Sequence, residues 1–337
     1  MSELVSILIP AFNAAPWISD TLRSAESQLW PRKEIIVVDD GSRDDTVAVA
    51  RRFSSPLVRV IAQEHRGAAA ARNAALAAAQ GSWIQWLDAD DIIAPDKISL
   101  QLSGADSGLS TRALLSSAWG RFYHRTWRAR FEPNPLWQDL EPLEWNIRKF
   151  TTNSWMIIES WLVSRRLTEL AGPWDERLTF NDDGEYFCRV TCASERVHFL
   201  PQALSYYRVG IPGSLNSSTS EKALDSLLLC IRLCSAHIRA LADNETTRAA
   251  GLAFLRVWQA YFSCGSEEIR REAEDFARSL GGEMTAPVLG RKYLLVKSVA
   301  GVRAALEAQR AVSRVRSFID GNWDAVAYRL SNRKKTV

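Results

Sequence analysis

A chain of 337 residues with 47% hydrophobic and 24% charged residues can bury a sizeable core and has length for roughly two domains, which excludes disordered and fibrous classes. The net charge of +3 conceals a basic end, because residues 290–337 hold 11 Lys or Arg against 3 Asp or Glu and the rest of the chain is net negative. Five cysteines (Cys188, Cys192, Cys230, Cys234 and Cys264) show no paired metal spacing, and an odd count argues against a disulfide framework. No run reaches the roughly 18 to 20 apolar residues of a spanning helix, and no basic leader precedes the first apolar run. The expectation is a cytoplasmic protein.

In chain order, Leu4 to Pro10 (LVSILIP), Glu34 to Asp40 (EIIVVDD), Leu57 to Gln63 (LVRVIAQ) and Trp83 to Asp88 (WIQWLD) are short apolar runs of strand length. Between them, Pro16 to Gln28, Asp44 to Phe53 and Ala68 to Gln80 are each long enough for a crossover helix. Strands made almost wholly of Val, Ile and Leu are usually covered on both faces. The pattern therefore predicts a mostly parallel, doubly wound, Rossmann-like α/β sheet with its strand C-termini along one edge. After residue 110 comes a Trp-rich, Pro-punctuated stretch, RFYHRTWRARFEPNPLWQDLEPLEW, which reads as loops and short strands over that edge. From Ser218 the chain reads as helical: Ser218 and Glu221 suggest a capping box before a helix to about Ala242, and Ser266 to Leu280 stops at Gly281-Gly282. Cys230 and Cys234 lie four apart in the first of these helices, as two small buried residues would. The division expected is 1–110, 111–217 and a helical region 218–337.

Polar residues gather where the apolar runs end, at Pro10-Ala11-Phe12-Asn13, Asp39-Asp40-Gly41-Ser42 and Asp88-Ala89-Asp90-Asp91. In an open α/β sheet that edge is where ligands bind. A lone Asp at a strand end is more often a turn residue or a helix cap, a job open to Ser42 or Asp44. Asp88, Asp90 and Asp91 differ, since side chains two apart in an extended segment share a direction and such close like charges repel unless a cation neutralises them. Oxygen ligands suit Mg²⁺ or Mn²⁺, and those ions suit diphosphates. Arg72-Asn73 could face the same edge or form a plain surface pair.

The segments SILIPAFNAAPWI, EIIVVDDGSRDDT, GAAAARNAAL and WLDADD, in this order and spacing, resemble the nucleotide-binding half of the family 2 inverting glycosyltransferases of GT-A fold. The likeness is close over about residues 3–100, looser through LVSRRLTELAGPWDERLTFNDDGEYFCRV, and fades after about residue 215. It implies metal-dependent transfer of a sugar from a nucleotide diphosphate donor, a UDP-sugar first, to a hydroxyl of a glycan, lipid-linked or small-molecule acceptor in polysaccharide biosynthesis. By the same resemblance Pro10, Ala11 and Asn13 line the nucleoside pocket, Asp40 with Asp39 beside it accepts from base and ribose, and Arg72 lies near the pyrophosphate. Asp88 and Asp90 match the Asp-x-Asp motif, with Asp90 on Mn²⁺ or Mg²⁺ directly and Asp88 reaching ribose or metal through water. Asp183 falls where the family has its general base, and a neighbouring Asp182 would tend to raise one of the two pKa values. On the residues alone, Asn181 to Asp183 could equally be a polar turn capping a helix from Gly184 to Cys192.

Two departures stand out. Gly210 occupies the place of the His in the family's Tyr-Arg-x-His, here Tyr207-Arg208-Val209-Gly210, which puts a third protein metal ligand in doubt. The Gln-x-x-Arg-Trp of processive synthases is absent, which favours a single addition. Of the 13 tryptophans, Trp155, Trp161 and Trp174 fall in the acceptor-side half, and sugar rings stack on indoles. Most of these belong to a core; Trp155 is the first candidate acceptor contact, with Asp182 beside the base.

Three other classes compete. A receiver domain ends its first strand in paired acids, whereas here they end the second. A phosphohydrolase needs a nucleophilic Asp after the first strand, and Pro10-Ala11-Phe12 supplies none. An inactive sugar-binding homologue would have lost a metal Asp or the base, yet Asp88, Asp90 and Asp183 are all present. No nucleic-acid partner is expected. Across 291–316, Arg291, Lys292, Lys297, Arg303, Arg310, Arg314 and Arg316 are set among Leu and Val, the make-up of a helix resting on an anionic membrane or of one packed on the protein with its bases solvated.

Overall fold

The computed structural model describes residues 3–104, 110–211 and 220–286, and beyond these only scattered positions up to residue 328. In chain order the elements are β1 (Val5–Ala11), α1 (Ile18–Glu26), β2 (Lys33–Asp39), α2 (Thr46–Arg51), β3 (Val58–Ala62), α3 (Ala68–Ala78), β4 (Trp83–Trp86), β5 (Ile92–Ile93) and α4 (Lys97–Gly104). There follow β6 (Ala113–Phe122), β7 (Arg130–Phe131), α5 (Pro142–Thr152), β8 (Leu162–Ser164), α6 (Arg165–Ala171), α7 (Asp182–Ala193) and β9 (Arg196–Arg208). The last are α8 (Glu221–Leu241), α9 (Glu245–Val257), α10 (Gln259–Phe262) and α11 (Glu267–Ser279).

One sheet runs β3-β2-β1-β4-β8-β6-β9-β5, with β7 hydrogen-bonded to β6. Its first four strands are parallel, as the apolar runs predict, and every residue of β1 is buried. The second half is mixed: β8 runs antiparallel to both β4 and β6, β9 is parallel to β6, and β5 is antiparallel to β9. Strand spacing puts β5 about 19 Å from β4 across a flat sheet. The chain turns back on itself between them, with Asp91 N donating to Asp88 O at 3.1 Å, so the sheet must curl to bring its far edge round. The acidic turn Asp88–Asp91 is thereby strung across the mouth of the curl.

Helix α5 begins inside the Pro-punctuated stretch, where the sequence predicts loops and short strands. Pro142 lies in its first turn, where the missing N–H costs nothing, and Asn153 closes it in the left-handed conformation at φ 53°. The α8 cap is Ser220, whose side chain accepts from Ala223 N, not Ser218, which lies outside the described residues. Ser266 caps α11 as expected, accepting from Ile269 N. Cys188, Cys230 and Cys234 are buried where α7 meets α8. No helix among the described residues is long and apolar enough to cross a membrane. All seven basic residues named across 291–316 lie outside the described residues.

Candidate active site

The loops after β1 and β2 form the first part of the site. Asp40, nearly fully buried, is consumed by the chain itself: Oδ1 accepts from Gln63 Nε2 at 2.7 Å and Arg66 N at 2.9 Å, while Oδ2 accepts from Gly67 N at 2.8 Å and meets His65 Nδ1 at 2.8 Å. Gly41 follows at φ 73°, where a Cβ would stand 2.8 Å from His65 N, so only glycine fits. Asp39 differs, since Oδ2 accepts from Ser42 N at 3.0 Å but Oδ1 is buried with no hydrogen-bond partner among the described residues. Of the two acids given to base and ribose, Asp39 thus holds the open acceptor. Pro10 and Ala11 end β1 in buried positions, Ala11 in register with Asp39. Asn13 at φ 50° ties the two loops together, its N donating to Ser42 Oγ and its Oδ1 accepting from Arg43 N, both at 2.9 Å. Phe12, which sequence reasoning passed over, lies half-exposed and stacked on His65 at 4.4 Å.

Beyond β4, carboxylate oxygens of Asp88, Asp91 and Glu159 lie within 4.8 Å of one another. Glu159 was not anticipated. It sits in a 3₁₀ turn, Ile158–Ser160, and its signal was a lone acid inside the apolar run MIIESWLV, a residue that needs a partner once buried. Its Oε1 accepts from Asp88 N at 3.1 Å, and Asp91 Oδ1 accepts from Arg208 N at 2.6 Å. The remaining oxygens, Asp91 Oδ2 and Glu159 Oε2, are buried with no hydrogen-bond partner among the described residues. Burial, then the charge of Asp88, pushes Glu159 up to about 8. Burial and the charges of Glu159, Asp90 and Asp88 raise Asp91 well above the carboxylate range.

The Glu159 turn is held from behind by buried Lys97, whose Nζ donates to Gln85 Oε1 at 2.6 Å and Gln101 Oε1 at 2.7 Å. Those amides donate in turn to Glu159 O and Ser160 O. Asp90 is not one of the three clustered acids, although burial and the Asp88 charge lift it to about 7. Arg208 fixes the turn by donating from Nε to Asp90 O at 2.7 Å, with its guanidinium packed over Trp17 and Phe122. A set of crowded oxygen donors, two of them unpaired, fits a hard divalent cation. Without one, protons must neutralise the cluster.

Arg72 joins this cluster to the start of α7. It is nearly buried, lies over the Trp174 ring at 4.5 Å, and donates to Asp182 at 2.6 Å and Asp88 at 3.0 Å. Burial alone would lower its pKa, but the Asp182 and Asp88 carboxylates outweigh that and hold it above its ordinary value. Asn73, far from a plain surface residue, bonds Trp174 N, Trp174 O and Glu176 and so ties α3 to the loop before α7. Asp182 and Asp183 open α7 after Asn181, whose φ of 57° is left-handed and whose side chain makes no capping bond. The Asp183 carboxylate makes no hydrogen bond among the described residues. Crowding by protein atoms, then the Asp182 charge, raises it to about 6 against the pull of Arg72 and Lys149. Trp161 and Trp174 are core residues, whereas Trp155 is 38% exposed and lines a cleft.

Residues 6–153 match the family model described as Glycosyl transferase family 2. The fold is GT-A: residues 1–349 of TarS from S. aureus, solved with UDP-GlcNAc, superpose with a TM-score of 0.66 at 19% identity over 92% of each chain. A mannosyltransferase from Pyrobaculum calidifontis, solved with GDP-Man and Mn²⁺, gives 0.51 at 18% identity, covering 92% of this chain and 87% of that one. Among curated relatives, the succinoglycan biosynthesis protein ExoO of Rhizobium meliloti is 39% identical over 31% of this chain and 30% of its own length. The E. coli UDP-Glc:alpha-D-GlcNAc-diphosphoundecaprenol beta-1,3-glucosyltransferase WfgD is 40% identical over 30% of this chain and 40% of its own. The matched stretch thus spans well under half the length of these relatives.

Proposed function

We propose that the protein moves a sugar from a UDP-sugar to an acceptor hydroxyl in one inverting displacement, once per acceptor, in polysaccharide biosynthesis. The observation that carries this reading is the bridge of Arg72 between Asp88 and Asp182, which puts a crowded carboxylate cluster beside an unbonded Asp183. Asp183 takes the proton of the acceptor hydroxyl. The acceptor oxygen forms a bond to the anomeric carbon from the face opposite the diphosphate, and the carbon–oxygen bond to the diphosphate breaks with its electron pair leaving on UDP. A carboxyl held near 6 is ionised at neutral pH yet basic enough to take that proton. Asp88 and Asp90, with Asp91 and Glu159 behind them, would hold Mn²⁺ or Mg²⁺, which supplies positive charge to the departing diphosphate. Arg72 orients Asp88 and Asp182, and Asp39 offers its unpaired oxygen to the base or ribose.

The relatives' printed names support a nucleotide-sugar donor and a glycan product, and the mannosyltransferase solved with Mn²⁺ supports the metal. The test is a panel of nucleotide sugars offered to the wild type and to Asp183→Asn. Turnover should fall by about 10² to 10⁴ in the variant with UDP affinity nearly unchanged. Normal turnover would move the base to Asp182, since Glu185 is buried and occupied by Arg189 and His237. Peripheral contact with the inner face of the membrane through residues 291–316 belongs to the same reading. It predicts co-sedimentation with anionic vesicles at low salt, and its absence there would remove that contact.

A further inference from the structure

Beside the acid cluster, across one tyrosine, lies a cleft of about 160 Å³ lined by Trp119, Arg121, Arg130, Asn134, Asn153 and Trp155 among others. At about 30 Å³ per water this holds some five waters, room for part or all of one sugar ring. Its position is fixed by the sheet. Trp119 and Arg121 on β6 are in register with Ser205 and Tyr207 on β9, and the next residue, Arg208, donates its N–H to Asp91. The Tyr207 ring stands edge-on to Trp155 at 5.8 Å and to Trp119 at 6.3 Å, while the charges of Asp91, Asp90, Glu159 and Asp88 help burial raise its pKa. The next ring beyond Tyr207 is Trp155, which is 38% exposed.

The chemistry of the cleft selects its occupant. Trp119 and Trp155 lie 4.5 Å apart, and the Arg121 guanidinium sits 5.6 Å from both rings. Arg121 has Glu132 at 3.7 Å, whereas Arg130, from β7, has no ion-pair partner among the described residues. Two arginines and one glutamate thus line the cleft together with Trp119, Trp155 and Pro133. Indole faces bind the apolar C–H face of a pyranose, and an unpaired guanidinium binds a carboxylate or phosphoryl group in a fork.

Resting on the transfer proposed above, we infer that this cleft is an acceptor subsite for a negatively charged sugar unit, one place removed from the unit that is glycosylated. Stacking on Trp155 holds the ring and Arg130 holds the anionic substituent.

Direct titration of three probes into the full chain tests this: methyl β-glucoside, methyl β-glucuronide and glucose 6-phosphate. At least one anionic probe should bind about tenfold tighter than the neutral one, as a charge-assisted hydrogen bond allows. Arg130→Gln should erase that preference, and Trp155→Ala should weaken all three. A preference for glucuronide assigns a carboxylate, and a preference for the phosphate assigns a phosphoryl group. Equal binding of all three by the wild type, no binding at all, or binding unaltered in Trp155→Ala would overturn the assignment. UDP titrated with Mn²⁺ into each protein should be unchanged. Loss of UDP binding by the wild type would instead strike the donor reading, so the two failures are told apart.

Discussion

The acids at the end of β2 and those beyond β4 make an instructive pair. Asp40 is as buried as Asp91, yet its oxygens take two backbone N–H groups, an amide and an imidazole, so it works as a brace for residues 63–67. Among the described residues Asp91 and Glu159 each keep a buried oxygen without a hydrogen-bond partner, and the pKa values of Asp90, Glu159 and Asp183 are all raised. Burial is common to Asp40, Asp91 and Glu159, and satisfaction separates Asp40 from the other two. A carboxylate saturated by backbone donors builds structure, whereas crowded, half-paired carboxylates are poised to take a cation or a proton.

The largest effect that could break this contrast is on turnover. Asp90→Ala should abolish cation-dependent transfer, and Asp88→Ala should also remove the Arg72 contact, while neither should lower the melting temperature much. A variant that unfolds instead would make these acids structural. Next in size is stability without chemistry: Asp40→Ala strands three part-buried donors, Gln63 Nε2, Arg66 N and Gly67 N, and should cost about 2 kcal/mol or more in denaturant unfolding, at any cation concentration. Asp90→Asn removes a crowded charge and should leave stability at pH 8 equal or higher.

The pH dependence sharpens the comparison further. Asp183, Asp90 and Glu159 lie near 6, 7 and 8 when folded, above ordinary carboxylates, so the folded state holds their protons more tightly. That stabilisation is complete below about pH 4 and is lost as pH rises through 6 to 8. The melting temperature of cation-free protein should fall over that window, and Mn²⁺ should flatten the fall by binding the ionised form. A metal-free protein whose stability is level from pH 5 to 8.5 would contradict the crowding.

Much of this was legible beforehand for a physical reason. Four apolar runs with three intervening helices leave few arrangements, and acids at their ends reach one edge wherever the chain is parallel. Helix α5 was missed because Pro142 and its neighbours look like breakers, although a proline in a first turn breaks nothing. Glu159 was missed because its meaning depends on Asp88 and Asp91, which are some 70 residues away in sequence and meet it only when the sheet curls. The same holds for Arg208, whose role is to pin the Asp90–Asp91 turn from the last strand. The division of labour between Asp39 and Asp40 could not be read from two adjacent identical residues, since it rests on which side the 63–67 loop closes.

The most direct test is a calorimetric titration of UDP into the wild type with Mn²⁺ and again with excess chelator. If the crowded acids beyond β4 form a cation site, UDP binding should be strong in Mn²⁺, weaken at least about tenfold in chelator, and become indifferent to Mn²⁺ in Asp90→Ala. Equal UDP affinity with and without the cation would contradict the account.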